Sequence, residues 1–273
     1  MFCKYVHGVT DDAGIEALRL YLPIEDGYVN YNIVHSVSEG RQCNTWRLGV
    51  VYLCDEKLCR IRPLTRAGAE WEMALKLTGR PDFIGGFAHG DEVFNKIEIT
   101  VDGEKRLLDS LTEVMECESL IFEVWSRGYD PSEPQIQVLE HYKKLSVGWD
   151  GVRVEQKVEW LGDFELGNCY MAMMPPYKAE TDVYYTESDR MPKNIGEPVG
   201  ISGYDNALYL SGKSGLTFCM KVEGYLSDEL AKYYISDNGG VPYNKMYFVL
   251  PHDGTVHQDD IWETVTEYSI KNY

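Results

Sequence analysis

The chain has 273 residues, 44% of them hydrophobic, and sets 44 acidic against 26 basic side chains for a formal net charge of −18. That length and apolar content can bury a sizeable core, in one large domain or two of average size. The charge creates a long-range field that repels phosphate backbones and anionic bilayers, so neither nucleic acid nor a membrane surface is an expected partner.

The opening residues, MFCKYVHGVTDD, contain no basic segment followed by an apolar run, and no later stretch approaches the roughly 18 apolar residues of a membrane span. A cytoplasmic protein without a signal peptide is the expectation. TDDAGIEALRL, residues 10–20, reads as a short helix capped by Thr10 or Asp11, and residues 1–40 together read as a segment appended to the main fold. Strands follow at 46–53 (WRLGVVYL) and 69–77 (AEWEMALKL). Between and beyond them Arg60, Arg62, Arg66 and Arg80 form a candidate basic patch, able to offset locally a field that otherwise disfavours polyanionic sugars.

The stretch DFIGGFAHGDEVFNKIEITVDGE, residues 82–104, is the densest mixture of glycine, imidazole and carboxylate in the chain. Gly85-Gly86 lets the backbone turn sharply, and the Asp102-Gly103 turn closes a hairpin behind it. This places His89 at the start of a strand whose odd positions, Asp91, Val93, Asn95, Ile97, Ile99 and Val101, face inward. A bulge at Gly90 would change that relation, so the choice between Asp91 and Glu92 as the carboxylate beside His89 stays open. A neutral imidazole next to a carboxylate is a working acid/base pair near pH 7; the plainer alternative is that these groups only close the hydrogen bonds of a glycine turn. Three ligands within four residues do not easily converge on one ion, so no metal and no cofactor is assigned.

Residues 119–126 (SLIFEVWS) read as a further strand, and residues 145–160 as a hairpin about Asp150-Gly151. In its second arm Val152, Val154, Gln156, Val158 and Trp160 share one face. His141 leads into this hairpin, within reach of a shared groove. Residues 174–206 form the most irregular stretch and read as a long functional loop within one β-sandwich domain over 1–273. Among the twenty tyrosines, several are set beside loops, including Tyr170, Tyr177, Tyr184, Tyr185, Tyr204, Tyr233 and Tyr234, where a flat ring with a polar tip suits the C–H face of a sugar. Strand propensity and core filling are the alternative for each ring taken singly. Strands close the chain at 207–211, 215–222, 244–250 and 263–270, with a second short helix at SDELAKYYI capped by Ser227. Seven scattered cysteines without a Cys-x-x-Cys pair read as free, mostly packed thiols, with a Cys54–Cys59 bridge the alternative in an exported chain.

Many short strands, few helices and no alternation of strand with long helix predict an all-β fold, a large antiparallel β-sandwich with one or two short helices. In VEQKVEWLGDFELGNCYMAMMPPY and NKMYFVLPHDGTVHQDDIWETVTEYSI the texture of the strands resembles the supersandwich of galactose-mutarotase-like domains, also found in polysaccharide lyases, over residues 45–270. The resemblance implies a carbohydrate ligand on a sheet face, handled by His and Glu in mutarotases and by Tyr, His or Arg in lyases. Carried onto this chain, the chemical roles fall on His89, Glu92 or Asp91, His141 and Tyr170, and sugar contacts on Tyr177, Tyr184, Tyr185 and Arg62. The function so implied is carbohydrate binding with mutarotase/epimerase-like or lyase-like acid/base chemistry. The alternative is a non-catalytic recognition or assembly module for a glycan or protein, with a metal-dependent hydrolase ranked last.

Overall fold

The computed structural model describes residues 1–8, 14–69, 71–196, 199–227, 229–237 and 239–272. Two sheets, of 17 and 7 strands, pack face to face. The middle of the larger one is an antiparallel run in which Glu92–Val101, Leu120–Tyr129, Gln137–Gly148, Gly151–Trp160, Ile261–Asn272 and Leu216–Glu223 pair in that order. Gly151–Trp160 shows why: each second residue is buried, which is the period-two pattern of a sheet with one covered face. The smaller sheet orders Gly200–Tyr204, Lys232–Ser236, Lys245–Val249, Phe164–Met174, Ala74–Leu77 and Phe83–Ile84, with Thr255–Val256 pairing to Phe164–Met174 as the seventh strand. Between the sheets lies one large core that includes Trp46, Trp71, Trp160, Phe122, Phe218 and Phe248. Tyr268 of the large sheet donates its hydroxyl to Trp71 O at 2.8 Å, so the polar tip of a buried ring is satisfied inside that core.

The all-β sandwich expected from the strand pattern is what the chain forms. Several local expectations fail for identifiable reasons. The first predicted helix is instead the strand Gly14–Ile24, paired on both sides by Phe2–His7 and Gly27–Ser38; its expected cap, Thr10 or Asp11, lies outside the described residues. Leu18, Leu20 and Leu22 alternate at period two and are all buried, and pairing on both edges overrides the local capping signal. These strands belong to the large sheet, so residues 14–38 are built into it and not appended to it. The second predicted helix is the strand Lys232–Ser236, and Ser227 Oγ caps only a turn by accepting from Glu229 N at 3.0 Å. Residues 46–53 split into Cys43–Leu48 and Tyr52–Cys54, and only Ala74–Leu77 of 69–77 is strand. The predicted long loop 174–206 carries three short strands, Val183–Thr186, Lys193–Asn194 and Gly200–Tyr204.

All seven cysteines are free, Cys54 buried and Cys59 exposed, with no bridge between them. No helix among the described residues is long and apolar enough to cross a membrane.

Candidate functional site

The strands of the smaller sheet alternate between core and surface, and their surface positions are rich in aromatics. Tyr233 and Ile235 are buried while Tyr234 between them turns outward; Met246 and Phe248 likewise flank Tyr247. Antiparallel register sets Tyr234 directly opposite Tyr247. Tyr170, on the neighbouring strand, brings its ring to 5.1 Å from that of Tyr247, and Phe83 lies 6.3 Å from Tyr170 and 4.9 Å from His89. These rings line a groove of about 630 Å³ whose polar lining includes Asn168, Arg66 and Lys245. Burial raises the pKa of the Tyr170 phenol, and the nearby Tyr234 adds to the shift, so Tyr170 stays a hydroxyl donor at neutral pH.

His89 ends the helical turn Gly86–His89, closed by the Gly85–Gly90 bridge, and does not start a strand as expected. Its Nδ1 lies 2.9 Å from Asp82 Oδ1, which fixes the ring with the proton on that nitrogen. Arg41 bonds the other oxygen of Asp82 and reaches Asp91 Oδ2 at 2.7 Å, clamping both carboxylates to one guanidinium. Burial pushes the Asp82 carboxyl up, but the Phe83 amide, Arg41 and His89 outweigh it and leave its pKa lowered. At Asp91 burial prevails over Arg41 and the pKa is raised. Among the described residues the carboxylate hydrogen-bonded to His89 is thus Asp82, ahead of the glycines, in place of the Asp91 or Glu92 that the spacing suggested.

Glu92 and His141 form a separate, sealed pair. A bulge opposite Trp125/Ser126 leaves Asn95 without a partner, which reverses the inward parity of the strand before it. Glu92 is therefore buried and Asn95 exposed, the opposite of the expected arrangement for Asn95. Glu92 Oε1 accepts from Ser126 Oγ at 2.7 Å and meets His141 Nδ1 at 3.0 Å, while Oε2 accepts from Gly86 N at 3.2 Å. Burial pushes the Glu92 carboxyl up, yet His141, Lys143 and Ser126 together hold it at about 2. His141 Nε2 continues to Gln156 Oε1 at 3.2 Å, and Gln156 Nε2 donates to Met171 O at 2.9 Å. Met171 is the bulged residue between Tyr170 and Ala172. One buried carboxylate thereby ties the turn that carries His89 to the strand that carries Tyr170.

The remaining expected contacts disperse. Arg62 makes a bidentate pair with Glu180 at 2.8 and 3.0 Å. Tyr185 stacks on Tyr209 at 4.8 Å, Tyr184 packs on the core, and Tyr177 bridges to Tyr243. Arg60 lies over the Tyr52 ring and Arg80 pairs with Asp130, so of the expected basic patch only Arg66 reaches the groove. Sequence reasoning missed Phe83, Asn168, Tyr243, Tyr247 and Asp82. The period-two setting of Tyr247 between Met246 and Phe248 was the available signal. Among the described residues no group of three or more His, Cys, Asp or Glu is arranged to hold a metal ion.

In sequence the chain matches no family model and no curated protein. In structure it is similar to a galactose mutarotase-like protein from Clostridium acetobutylicum, with a TM-score of 0.53 at 9% identity over 99% of each chain. It is similar also to a mutant of the heparan sulfate lyase HepC from Pedobacter heparinus, with a TM-score of 0.53 at 10% identity over 99% of this chain. The chain spans 37% of that lyase's length. The two-sheet sandwich that carries the tyrosine groove is the fold of galactose mutarotase-like proteins, shared with part of a heparan sulfate lyase.

Proposed function

We propose that this chain binds a carbohydrate in the groove between His89 and Tyr247. The observation that carries the reading is the row of rings from His89 through Phe83 and Tyr170 to Tyr247, with Tyr234 alongside. Flat rings present apolar area to sugar C–H faces, while phenol tips, Asn168 and charged groups at the rim meet hydroxyls. The two structural neighbours, one named for galactose mutarotase and one for heparan sulfate, support a sugar as the ligand class.

Acid/base turnover, of mutarotase or lyase type, is the second reading, and the His89–Asp82 pair at the groove edge is what favours it. Within the groove the second proton-transfer group would be Tyr170, held protonated by burial. Glu92 and His141 do not serve in this reading, because their side chains are sealed from solvent. A glycan array, followed by calorimetric titration of the sugars it selects, tests both readings. Tyr170→Ala should weaken binding roughly tenfold, the scale of one lost aromatic platform. His89→Gln should abolish anomeric or eliminative turnover if there is any, and should only weaken affinity if the chain is a binding module. A parent that retains no sugar, or a Y170A variant that binds every sugar unchanged, refutes the groove as a glycan site.

A further inference from the structure

Among the described residues that line the groove, Arg66, Lys245 and His89 are the ionisable side chains other than tyrosine, and none is an aspartate or glutamate. In a chain with 44 acidic residues this is unusual company. Three other surface grooves each carry carboxylates: Glu140 and Glu159 in one, Asp150 and Glu267 in the second, Glu25 and Asp150 in the third. Two further cations stand on the same aromatic face, Lys232 over Tyr234 at 5.0 Å and Lys76 over Phe83 at 5.2 Å. Arg62, Arg80 and Arg41 are each tied to a carboxylate, whereas Arg66 is exposed and makes no ion pair among the described residues.

We infer that the groove selects a sugar bearing an anionic substituent, a carboxylate or a sulfate, over its neutral counterpart, with Arg66 as the principal anion contact. The inference rests on the carbohydrate reading of the groove and narrows it to acidic glycans. An arginine fork matches either anion with two parallel hydrogen bonds, and tyrosine rings hold the pyranose beside it. The net charge of −18 works against such a ligand at long range, but over a Debye length of about 8 Å at physiological salt the nearby cations dominate. Net repulsion then acts as a filter: a polyanion gains entry only where the groove's own charges meet it.

The test is titration of the full chain against matched probes: galactan and polygalacturonate fragments, and carrageenan fragments with and without sulfate. The expected result is at least a tenfold preference for the acidic member of one pair, shrinking as salt is raised. The preferred pair distinguishes carboxylate from sulfate. R66Q, at an exposed position, should melt with the parent and lose most of that preference, with acidic binding falling far more than neutral binding. Neutral members bound as tightly as their acidic partners, with R66Q changing neither, would overturn the anionic class and leave carbohydrate binding standing. Binding of acidic and neutral members at the parent level by Y170A would instead remove the groove as the site, and this inference with it. No binding of any probe, together with an empty glycan array, would remove both.

Discussion

Glu92 is the residue on which the sealed network turns, because its two oxygens hold elements from different parts of the chain. One fixes Gly86 N in the turn that ends at His89, and the other fixes His141, which steers Gln156 onto Met171 O beside Tyr170. With its pKa held at about 2 in the fold against an ordinary 4.5, Glu92 contributes stability that is fully present above pH 4.5 and is lost as the pH falls towards 2. Urea denaturation should show the parent weakening across that window, with Glu92→Gln less pH-dependent there. At pH 7 the variant should be less stable by about 1–3 kcal/mol, the cost of leaving the buried Ser126, His141 and Gly86 donors against an amide in place of a carboxylate. Equal pH dependence in both proteins would remove Glu92 from this role. The importance of HGDE was legible in the sequence, but its division of labour was not. Asp82 lies seven residues from His89, and Arg41 lies 41 residues from Asp82, so no local pattern announces their meeting.

At the scale of elements, the turn Gly86–His89 is held by backbone geometry that only glycine adopts without strain. Gly90 has φ +77°, and a Cβ there would stand 2.5 Å from Arg41 O and from Arg41 Cβ. Gly90→Ala must therefore push away the residue that clamps Asp82 and Asp91 while adopting a disfavoured backbone, at a cost of roughly 1–3 kcal/mol from the backbone alone. Thermal melting should fall, and sugar affinity should fall with it as His89 and Asp82 separate. A destabilised variant with unchanged affinity would show that the turn does not position the groove. The sequence showed that this corner is special through its glycines, yet the bulge at Asn95 that brings Glu92 inward arises from pairing with Leu120–Tyr129. The two misread helices have the same origin: Gly14–Ile24 and Lys232–Ser236 each have partners on both edges, and cross-strand pairing outweighs a local cap. Where one arm alternates cleanly, as in Gly151–Trp160, the expected strand and its buried face both match.

For the molecule as a whole, the order of pairing makes the last strand a keystone of the sheet and not an edge. Ile261–Asn272 lies between Gly151–Trp160 and Leu216–Glu223, joining the central hairpins to the strands that precede it in the chain. Its inward residues Trp262, Tyr268 and Ile270 are buried, and Tyr268 also crosses to Trp71 beneath the smaller sheet. Three such side chains account for roughly 5–9 kcal/mol of burial, comparable with the roughly 5–15 kcal/mol by which a whole domain is stable. Deleting residues 261–272 would also leave two long unpaired strand edges in the middle of the sheet, where another chain can add. The shortened chain is therefore expected to lose cooperative melting and to aggregate, and amide exchange in the intact chain should find Gly151–Trp160 and Ile261–Asn272 among the slowest strands to open. A deletion variant that stays monomeric and melts cooperatively would mean that the two sides of the large sheet fold as separate units. The smaller sheet and its groove would then owe their stability to only one of them.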